Sequence, residues 1–565
     1  MNYLQKTIVW LETISDKAWL RLERRQVLPV AALLVPLAFG LVSLLLGQDD
    51  NWDLHNYHRY NPYALLNGKI GLDLAPAQWQ SYFNPTLDLL YYGLMQALPA
   101  PLVGFIMGWL HGLNFVLVLA LARALLVTGE AAPRSRLILL LALAGCLGPA
   151  FLSELGNTMG DNMTSLCVLG ALLLLLSRFE RLAHGNAGGV AIAVMAGLLM
   201  GLGAGLKLTN ATYALALCLT LLSLHGTVWQ RVRLSFIFGV GVLAGIGTSA
   251  GFWYLKMWQT FGNPLFPQFN DRFHGPLAQA IGIGETGWLP KGWVEKLLWP
   301  FIFTLHSNRT IEIPLTQLIW PMLYVGFAVL ALRRLRARVL VRPMVPAIPP
   351  RVCFLLIFVA ISYLIWLNLF GLYRYLIPLE LLAPLTFWLV VENLMPADFA
   401  RPVAGYSLLL ASLTIFPLST WGHANWSRNG FAVELPTLDR PDQNIVFTVH
   451  GDPPMGWLVP SFPRTLAFVS LGSGFPESQG YRDRVEAMMA SRSGPFYVML
   501  QSDRNDPGSE AERRQGAQRN RDVLDKAQEV LGRYGLALQA DSCTIHAAFV
   551  GTSRWPYQFC TVSRK

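Results

Sequence analysis

Long apolar runs constrain this chain more than any other feature of its sequence. A helix of about 20 apolar residues crosses a bilayer, and somewhat shorter ones do so when flanking side chains reach the interface. Shorter apolar stretches at 85–98 and 297–305 predict partial or re-entrant helices. The pattern predicts a polytopic α-helical membrane protein with about eleven spans. The predicted spans are residues 27–46, 101–127, 137–153, 162–177, 189–206, 210–225, 234–256, 314–332, 352–370, 375–395 and 403–419.

Composition and charge agree with a bilayer environment. Charged residues make up 14% of the 565 residues, whereas soluble domains contain about 25%. The net charge of +10 does not indicate nucleic-acid binding, because the cations collect in short loops, where membrane lipids are their natural partners. The positive-inside rule then predicts a cytoplasmic N-terminus and an extracytoplasmic C-terminus. The cations concerned include Lys6, Lys17, Arg21, Arg24, Arg25, Arg333, Arg334, Arg336, Arg338, Arg342 and Arg351.

The C-terminal part has a different character from the apolar region. Short β-like runs such as "NIVFTVH", "TLAFVSL" and "PFYVML" alternate with a charged, helix-like stretch at 508–532. This pattern predicts a transmembrane domain at 1–420 and a small extracytoplasmic α/β domain at 421–565. Cys543 and Cys560 lie in the last two predicted strands. They predict a disulfide across a hairpin, and two unpaired thiols are the alternative.

The unusual polar residues of the apolar region fall at the extracytoplasmic ends of the predicted spans. Each of them alone has a structural explanation as a helix start, a snorkelling cation or an interfacial aromatic. Their joint position on one side predicts a single functional site, because charge near the bilayer is costly and usually functional. These residues are Asp49, Asp50, Asp53, Glu154, Asn157, Asp161, Asn162, Lys207, Thr209, Asn210, His306, Arg309 and Arg374.

The first extracytoplasmic loop, residues 48–84, carries the densest group of titratable side chains. From Asp53 to Asn67 the sequence predicts a helix along the membrane surface, interrupted or restarted at Pro62 and capped by Gly68. Asp53 and Tyr57 share a face of this helix at i,i+4. The positive N-terminal end of the helix favours an ionised Asp53, as a general base requires.

This loop resembles the first loop of the GT-C membrane glycosyltransferases. In aminoarabinose and mannosyl transferases of that superfamily, an Asp is followed by a Tyr four residues later and a Gly about fifteen residues later, as in Asp53, Tyr57 and Gly68. "YFNPTLDLLYY" stands where the family has a "KPPL"-type entry, with Asn84 in place of the lysine. Asp161 matches a second acid, and "GNPLFP" and "YRYLIPL" are also similar. The resemblance covers residues 1–420 in layout.

The resemblance implies an inverting glycosyltransferase that takes a sugar from a polyprenyl-phosphate carrier. The acceptor would be an extracytoplasmic glycan, lipid or protein of the cell envelope, and the location a bacterial inner membrane. Asp53 would take the proton of the acceptor hydroxyl, and Asp50 is the reserve candidate for this base.

The remaining implied roles concern the donor and the acceptor. A divalent cation (Mg²⁺, Mn²⁺ or Zn²⁺) would bind Asp161 together with Glu154 or His55, unless Arg and Lys alone neutralise the phosphate. The predicted carrier-phosphate contacts are Lys207, Arg309, Arg374, Lys69 and His306. The predicted acceptor or sugar contacts are Tyr57, His58, Tyr60 and Asn84.

Two other functions remain open from the sequence. A transporter or flippase of lipid-linked glycans would carry charges deep inside spans and often repeated halves, and no repeat is evident here. An O-antigen-type ligase or polymerase would rely on Arg and His rather than on an acid. His274, His306 and Arg309 in the long loop at 257–313 keep this second alternative open.

Overall fold

The computed structural model describes residues 26–126, 134–284, 286–339, 347–449, 451–452, 454–504 and 509–565. The basic residues of the N-terminus, Arg342 and most of the predicted cytoplasmic loop at 128–136 lie outside these ranges. Within the described part, six helices are long and apolar enough to cross a membrane. They are Val27–Leu46, Ala100–Leu126, Ala187–Leu206, Val228–Phe261, Pro350–Leu369 and Tyr373–Leu394.

Helices dominate the chain up to residue 413. The first of them are α1 Val27–Leu46, α2 Tyr60–Leu66, α3 Asp88–Ala97, α4 Ala100–Leu126, α5 Ser135–Gly145, α6 Pro149–Ser153, α7 Asp161–Ser177, α8 Phe179–His184 and α9 Ala187–Leu206. They are followed by α10 Ala211–Leu221, α11 Val228–Phe261, α12 Asn270–Phe273, α13 Gly292–Leu305, α14 Ile319–Val339, α15 Pro350–Leu369, α16 Ile377–Leu394 and α17 Ala397–Leu413.

Each of the eleven predicted spans contains a helix, but five of those helices do not meet the length and polarity of a full span. α5, α7 and α10 are apolar but short, α14 ends in an arginine-rich turn, and α17 has 17 residues. The membrane-protein class is therefore supported, and the number of spans stays a prediction. The two predicted partial helices correspond to α3 and α13.

Close helix packing depends on glycine between α9 and α11. A Cβ atom at Gly201 or Gly245 would collide with the backbone of the facing helix. Small residues let two apolar helices approach closely and gain van der Waals contact, which is how helices associate without a hydrophobic driving force. This pair belongs to a large apolar core that the helices share.

The C-terminal part, residues 423–565 (the tail), is built around β-sheets. Its main sheet has the order β5-β4-β6-β11-β7, with β4 parallel to β5 and β6 and with β11 antiparallel to β6 and β7. Cys543 and Cys560 form a disulfide. The elements are β2 His423–Ala424, β3 Phe431–Val433, β4 Ile445–Val449, β5 Ala467–Leu471, α18 Gln479–Ala490, β6 Phe496–Gln501, α19 Glu510–Gly532, β7 Leu536–Leu538, β8 Thr544–His546, β9 Ala548–Val550, β10 Ser553–Arg554 and β11 Tyr557–Arg564.

The first loop (residues 48–84) and the tail share one apolar core, which joins the two predicted domains closely. Strand β1, Gln48–Asp49, pairs with β2 of the tail. Leu74 of the loop covers the edge strand β5: its N–H donates to the carbonyl of Phe468 at 2.8 Å, and its carbonyl accepts from the N–H of Ser470 at 2.9 Å. This pairing protects a sheet edge that would otherwise expose unpaired backbone groups.

Candidate functional site

The first loop packs against the tail, and most of its helical residues are buried. It is helical at Leu54–His58 and again in α2, and every residue of Leu54–His58 is buried. Arg59 fastens it to the tail by donating to the carbonyl of Trp457 at 2.5 Å. Gly68 follows α2 with a φ of 66°, a left-handed conformation that glycine adopts without strain. The predicted helix is therefore present in two parts and is buried against the tail, while its position relative to the membrane surface stays a prediction.

Asp53 pairs with Arg374, 321 residues away in the chain. Nη1 of Arg374 lies 2.8 Å from Oδ2 of Asp53, and both side chains are about nine-tenths buried. Burial by itself would raise the pKa of the Asp53 carboxyl, but the guanidinium of Arg374 and the nearby His58 and Lys207 outweigh it and lower that pKa. Asp53 is therefore an ionised, oriented carboxylate at the end of the helical bundle.

A second acid–cation pair lies beside the first. Nζ of Lys207, directly after α9, is 2.5 Å from Oδ2 of Asp161, the first residue of α7, and 2.7 Å from the carbonyl of Met159. The Tyr375 ring connects the two pairs. Its centroid is 5.6 Å from Nζ of Lys207 and 5.4 Å from Cζ of Arg374. Two cations thus contact one aromatic ring, an arrangement that would suit a doubly charged anion.

Glu154 completes this group, and we call Asp53, Glu154, Asp161, Lys207 and Arg374 the acid–cation site. Glu154 is fully buried, and neither of its carboxyl oxygens has a hydrogen-bond partner within the described ranges. Burial, and after it the charge of Asp161, raises its pKa well above the ordinary value, although Lys207 and Arg374 oppose this. A buried carboxyl without partners is unusual for a structural role.

His58 and Asp88 form a hydrogen-bonded pair next to this site. Nδ1 of His58 lies 2.7 Å from Oδ1 of Asp88, and both residues are buried. The Tyr57 ring packs on the imidazole with 4.1 Å between centroids, and the pKa of Tyr57 is raised by burial first and then by Asp53. A small cleft of about 10 Å³ lies beside Asp88. Its walls are mostly apolar and include Leu90, Tyr91, Met107 and Met163.

Sequence reasoning missed three residues that contact or adjoin the acid–cation site, namely Asp88, Tyr375 and Trp421. Asp88 opens an apolar helix, where a lone acid looks like an ordinary first-turn residue. Tyr375 lies next to Arg374 in sequence, and Trp421 lies 5.8 Å from the Arg374 guanidinium. The signal that could have identified Asp88 is its place within "YFNPTLDLLYY", the stretch already associated with the site.

Asp49, Asp50 and His55 have other partners. Asp49 accepts from the backbone and the hydroxyl of Thr158, both at 2.8 Å, and so ties the first loop to the α6–α7 connection. Asp50 contacts Nε2 of His55 at 2.7 Å and accepts from the Trp555 indole at 3.0 Å. Asp50, the reserve candidate for the base, thus pairs with His55, the predicted metal ligand, and both contact the tail through Trp555.

The predicted metal ligands do not form a metal site. His55 packs between Trp457 and Trp555, while Asp161 is held by the ammonium of Lys207. Across the described residues, no three His, Cys, Asp or Glu side chains come together as a metal-binding group. Mg²⁺ can also be held by one or two carboxylates together with waters and a substrate phosphate, so the metal requirement stays a prediction.

Three further predicted contacts lie in the loop–tail interface or between helices. Lys69 is buried against Asp73 at 3.1 Å, and its ammonium also donates to the carbonyls of Arg464 and Leu466. Tyr60 donates to Asp73 at 3.1 Å. Asn84 donates to the carbonyls of Gly205 and Ser249. These side chains are used in holding the fold.

The long loop contributes no contact to the acid–cation site through its two predicted cations. Arg309 pairs with Glu295 at 3.0 Å and lies 5.2 Å from the Trp299 ring centroid. His306 is exposed at the end of α13. A pocket of about 60 Å³ lies on the tail near Trp457, Arg504 and Trp555. None of its lining residues belongs to the acid–cation site.

Comparison with known proteins adds no assignment to this geometry. No protein-family model matches the sequence, and no curated protein matches it.

Proposed function

We propose that this protein is an inverting glycosyltransferase that moves a sugar from a polyprenyl-phosphate carrier to an acceptor hydroxyl. One observation carries the proposal: two buried acid–cation pairs, Asp53–Arg374 and Asp161–Lys207, meet on the Tyr375 ring. This supplies cations for a phosphate and a carboxylate for a base in one place. Six membrane-length helices are consistent with a lipid-borne donor.

The proposed reaction follows from these groups. The acceptor oxygen attacks the anomeric carbon from the face opposite the phosphate, and the bond from that carbon to the phosphate oxygen breaks. The electron pair leaves with the phosphate, whose growing charge Arg374 and Lys207 stabilise, with Arg374 suited to two parallel hydrogen bonds. Asp53 takes the proton of the acceptor hydroxyl. We assign no step to a metal ion, because the predicted ligands do not form a metal site.

We propose a lipid-linked donor rather than a soluble nucleotide sugar, because six helices of the described residues are long and apolar enough to cross a membrane. We propose the bacterial inner membrane as the location, with the site and the tail on its extracytoplasmic side. The acceptor would be a glycan, lipid or protein of the envelope.

A lipid-linked glycan transporter is the second candidate, favoured by Glu380. This acid is buried inside α16, where it accepts from Gln317 at 3.1 Å, and its other oxygen has no hydrogen-bond partner in the described structure. Acids inside spans are typical of transport pathways.

Transfer and transport can be separated directly. The full-length protein in nanodiscs would receive a radiolabelled polyprenyl-phosphate sugar and a panel of envelope glycans, lipids and peptides. Product would be detected as label in a new glycosidic bond with inverted anomeric configuration. We expect Asp53→Asn to lower kcat at least about 100-fold, with exposed Asp525→Asn as the control. In proteoliposomes, movement of intact lipid-linked glycan without a new bond would favour the transporter.

A further inference from the structure

In the proposed reaction, each sugar transfer releases the proton of the acceptor hydroxyl to Asp53. Asp53 is poorly suited to remain protonated. Its contact with Arg374 favours the ionised carboxylate, and its pKa is lowered. A proton taken by Asp53 must therefore move to another group before the ion pair with Arg374 forms again. This step rests on the proposed function and asks which neighbouring side chain receives that proton.

His58 has the chemistry and the position for this task. Its Nδ1 is bound to the Asp88 carboxylate at 2.7 Å, while its Nε2 is buried and has no partner in the part of the chain that the structure describes. A carboxylate on one imidazole nitrogen fixes the tautomer and stabilises the imidazolium that forms when the other nitrogen accepts a proton. His58 and Asp53 also belong to one segment, since His58 is the last residue of the short helix Leu54–His58 and Asp53 caps its N-terminus.

We propose that His58 is the proton carrier of the site and that Asp88 is its positioning residue. The acceptor O–H bond breaks as Asp53 takes the proton, and the proton then moves from the Asp53 carboxyl to Nε2 of His58. The resulting imidazolium contacts the carboxylate of Asp88, the first residue of α3. The other ionisable groups around it are Asp53 and Tyr57 of the same loop, and Arg374 and Lys207, which interact with Asp53. The proton later leaves to solvent, and Asp53 pairs with Arg374 again.

The same loop contains a matched pair that serves as a control. His55 contacts Asp50 at 2.7 Å, is equally buried, and also has a ring nitrogen without a partner in the described residues. Its ring, however, packs on Trp457 and Trp555 of the tail. The two histidines lie in the same loop and each contacts one carboxylate, but Asp50 belongs to that loop whereas Asp88 is the first residue of α3.

The test compares His58→Gln, Asp88→Asn and His55→Gln in the full-length protein, by kcat, KM and the solvent isotope effect across pH. We expect His58→Gln to lower kcat about 100-fold, with KM within about twofold. The solvent isotope effect on kcat should also change, because the proton then leaves Asp53 by another route. Asp88→Asn should lower kcat at least about tenfold, and Asp88→Glu should restore part of the loss. His55→Gln should lower kcat less than His58→Gln, and the exposed Asp525→Asn should retain the wild-type profile.

Several outcomes would overturn the proposal. It is wrong if His58→Gln keeps wild-type kcat and its pH profile, or if His55→Gln and His58→Gln lose activity to the same extent. If His58→Gln fails to fold, as judged by thermal unfolding, the Asp88→Asn and Asp88→Glu pair decides. Wild-type transfer that depends on Asp53 but not on His58 would remove only the proton carrier. Absence of transfer by the wild type would instead remove the proposed function.

Discussion

The acid–cation site and the loop–tail interface (Tyr60, Lys69 and Asp73 of the loop against Arg464, Leu466 and Phe468 of the tail) both contain buried charged side chains. The two regions differ in how completely those side chains are hydrogen-bonded. In the interface, Lys69 donates to Asp73 and to two backbone carbonyls, and Asp73 also accepts from Tyr60 and from the N–H of Phe468. In the acid–cation site, Glu154 and Nε of Arg374 lack partners among the described residues. Buried charge alone therefore does not identify a site. Buried charge with unused donors and acceptors does.

The largest difference in activity is expected between variants that lose the cation of the Asp53–Arg374 pair and variants that lose the cation of the Asp73–Lys69 pair. Arg374→Gln should lower kcat/KM about 100- to 1000-fold, because a preorganised donor to the leaving phosphate is lost. Lys69→Met should leave the kcat/KM of the folded fraction within about twofold of wild type. Initial rates normalised to monodisperse protein after gel filtration would measure both. Equal losses in the two variants would contradict the distinction between site and interface.

The free energy of unfolding should fall more in Lys69→Met than in Arg374→Gln, the reverse of the order expected for activity. Lys69→Met leaves Asp73 buried without its cation, and breaking such a pair costs about 3–5 kcal/mol. Lys69→Met combined with Asp73→Leu should recover much of this loss, because the unpaired charge is then removed as well. Thermal unfolding of the three proteins in one detergent would measure the effect. A double variant less stable than Lys69→Met would show that the pair itself, rather than the stranded charge, matters.

The acidity of Asp73 should give the interface its own pH dependence. Burial raises the pKa of this carboxyl from 3.8 to about 6, against the opposing effect of Lys69. Between these two pH values the folded protein holds more protons than the unfolded chain. The unfolding free energy should therefore fall as pH rises from about 4 to about 6, by up to about 3 kcal/mol. Asp73→Asn should flatten this part of the stability profile, whereas Asp525→Asn should not.

The sequence predicted where helices lie better than which residues meet. Apolar periodicity located the helices around each predicted span and the sheet-rich tail, because burial in lipid or in a core shapes composition locally. The pairing of Asp53 with Arg374 depends on the packing of segments 321 residues apart, which spacing within one loop does not encode. His55 illustrates the limit: its distance from Asp53 in sequence is small, but its ring packs on Trp457 and Trp555 of the tail.

Removal of divalent cations should have the smallest effect of all. Asp161 already holds the ammonium of Lys207 at 2.5 Å, and His55 lies against the tail, so the predicted ligands share no site. We expect EDTA followed by desalting to change kcat by less than about twofold, because Arg374 and Lys207 can neutralise the phosphate without a metal. The same assay after Mg²⁺, Mn²⁺ or Zn²⁺ addition is the control. A loss of kcat above tenfold that one of these ions restores would contradict this prediction. It would mean that Asp161 releases Lys207 and binds the metal when the donor binds. The acid–cation site would then differ from the loop–tail interface in a second way, because its side chains would change partners during the reaction.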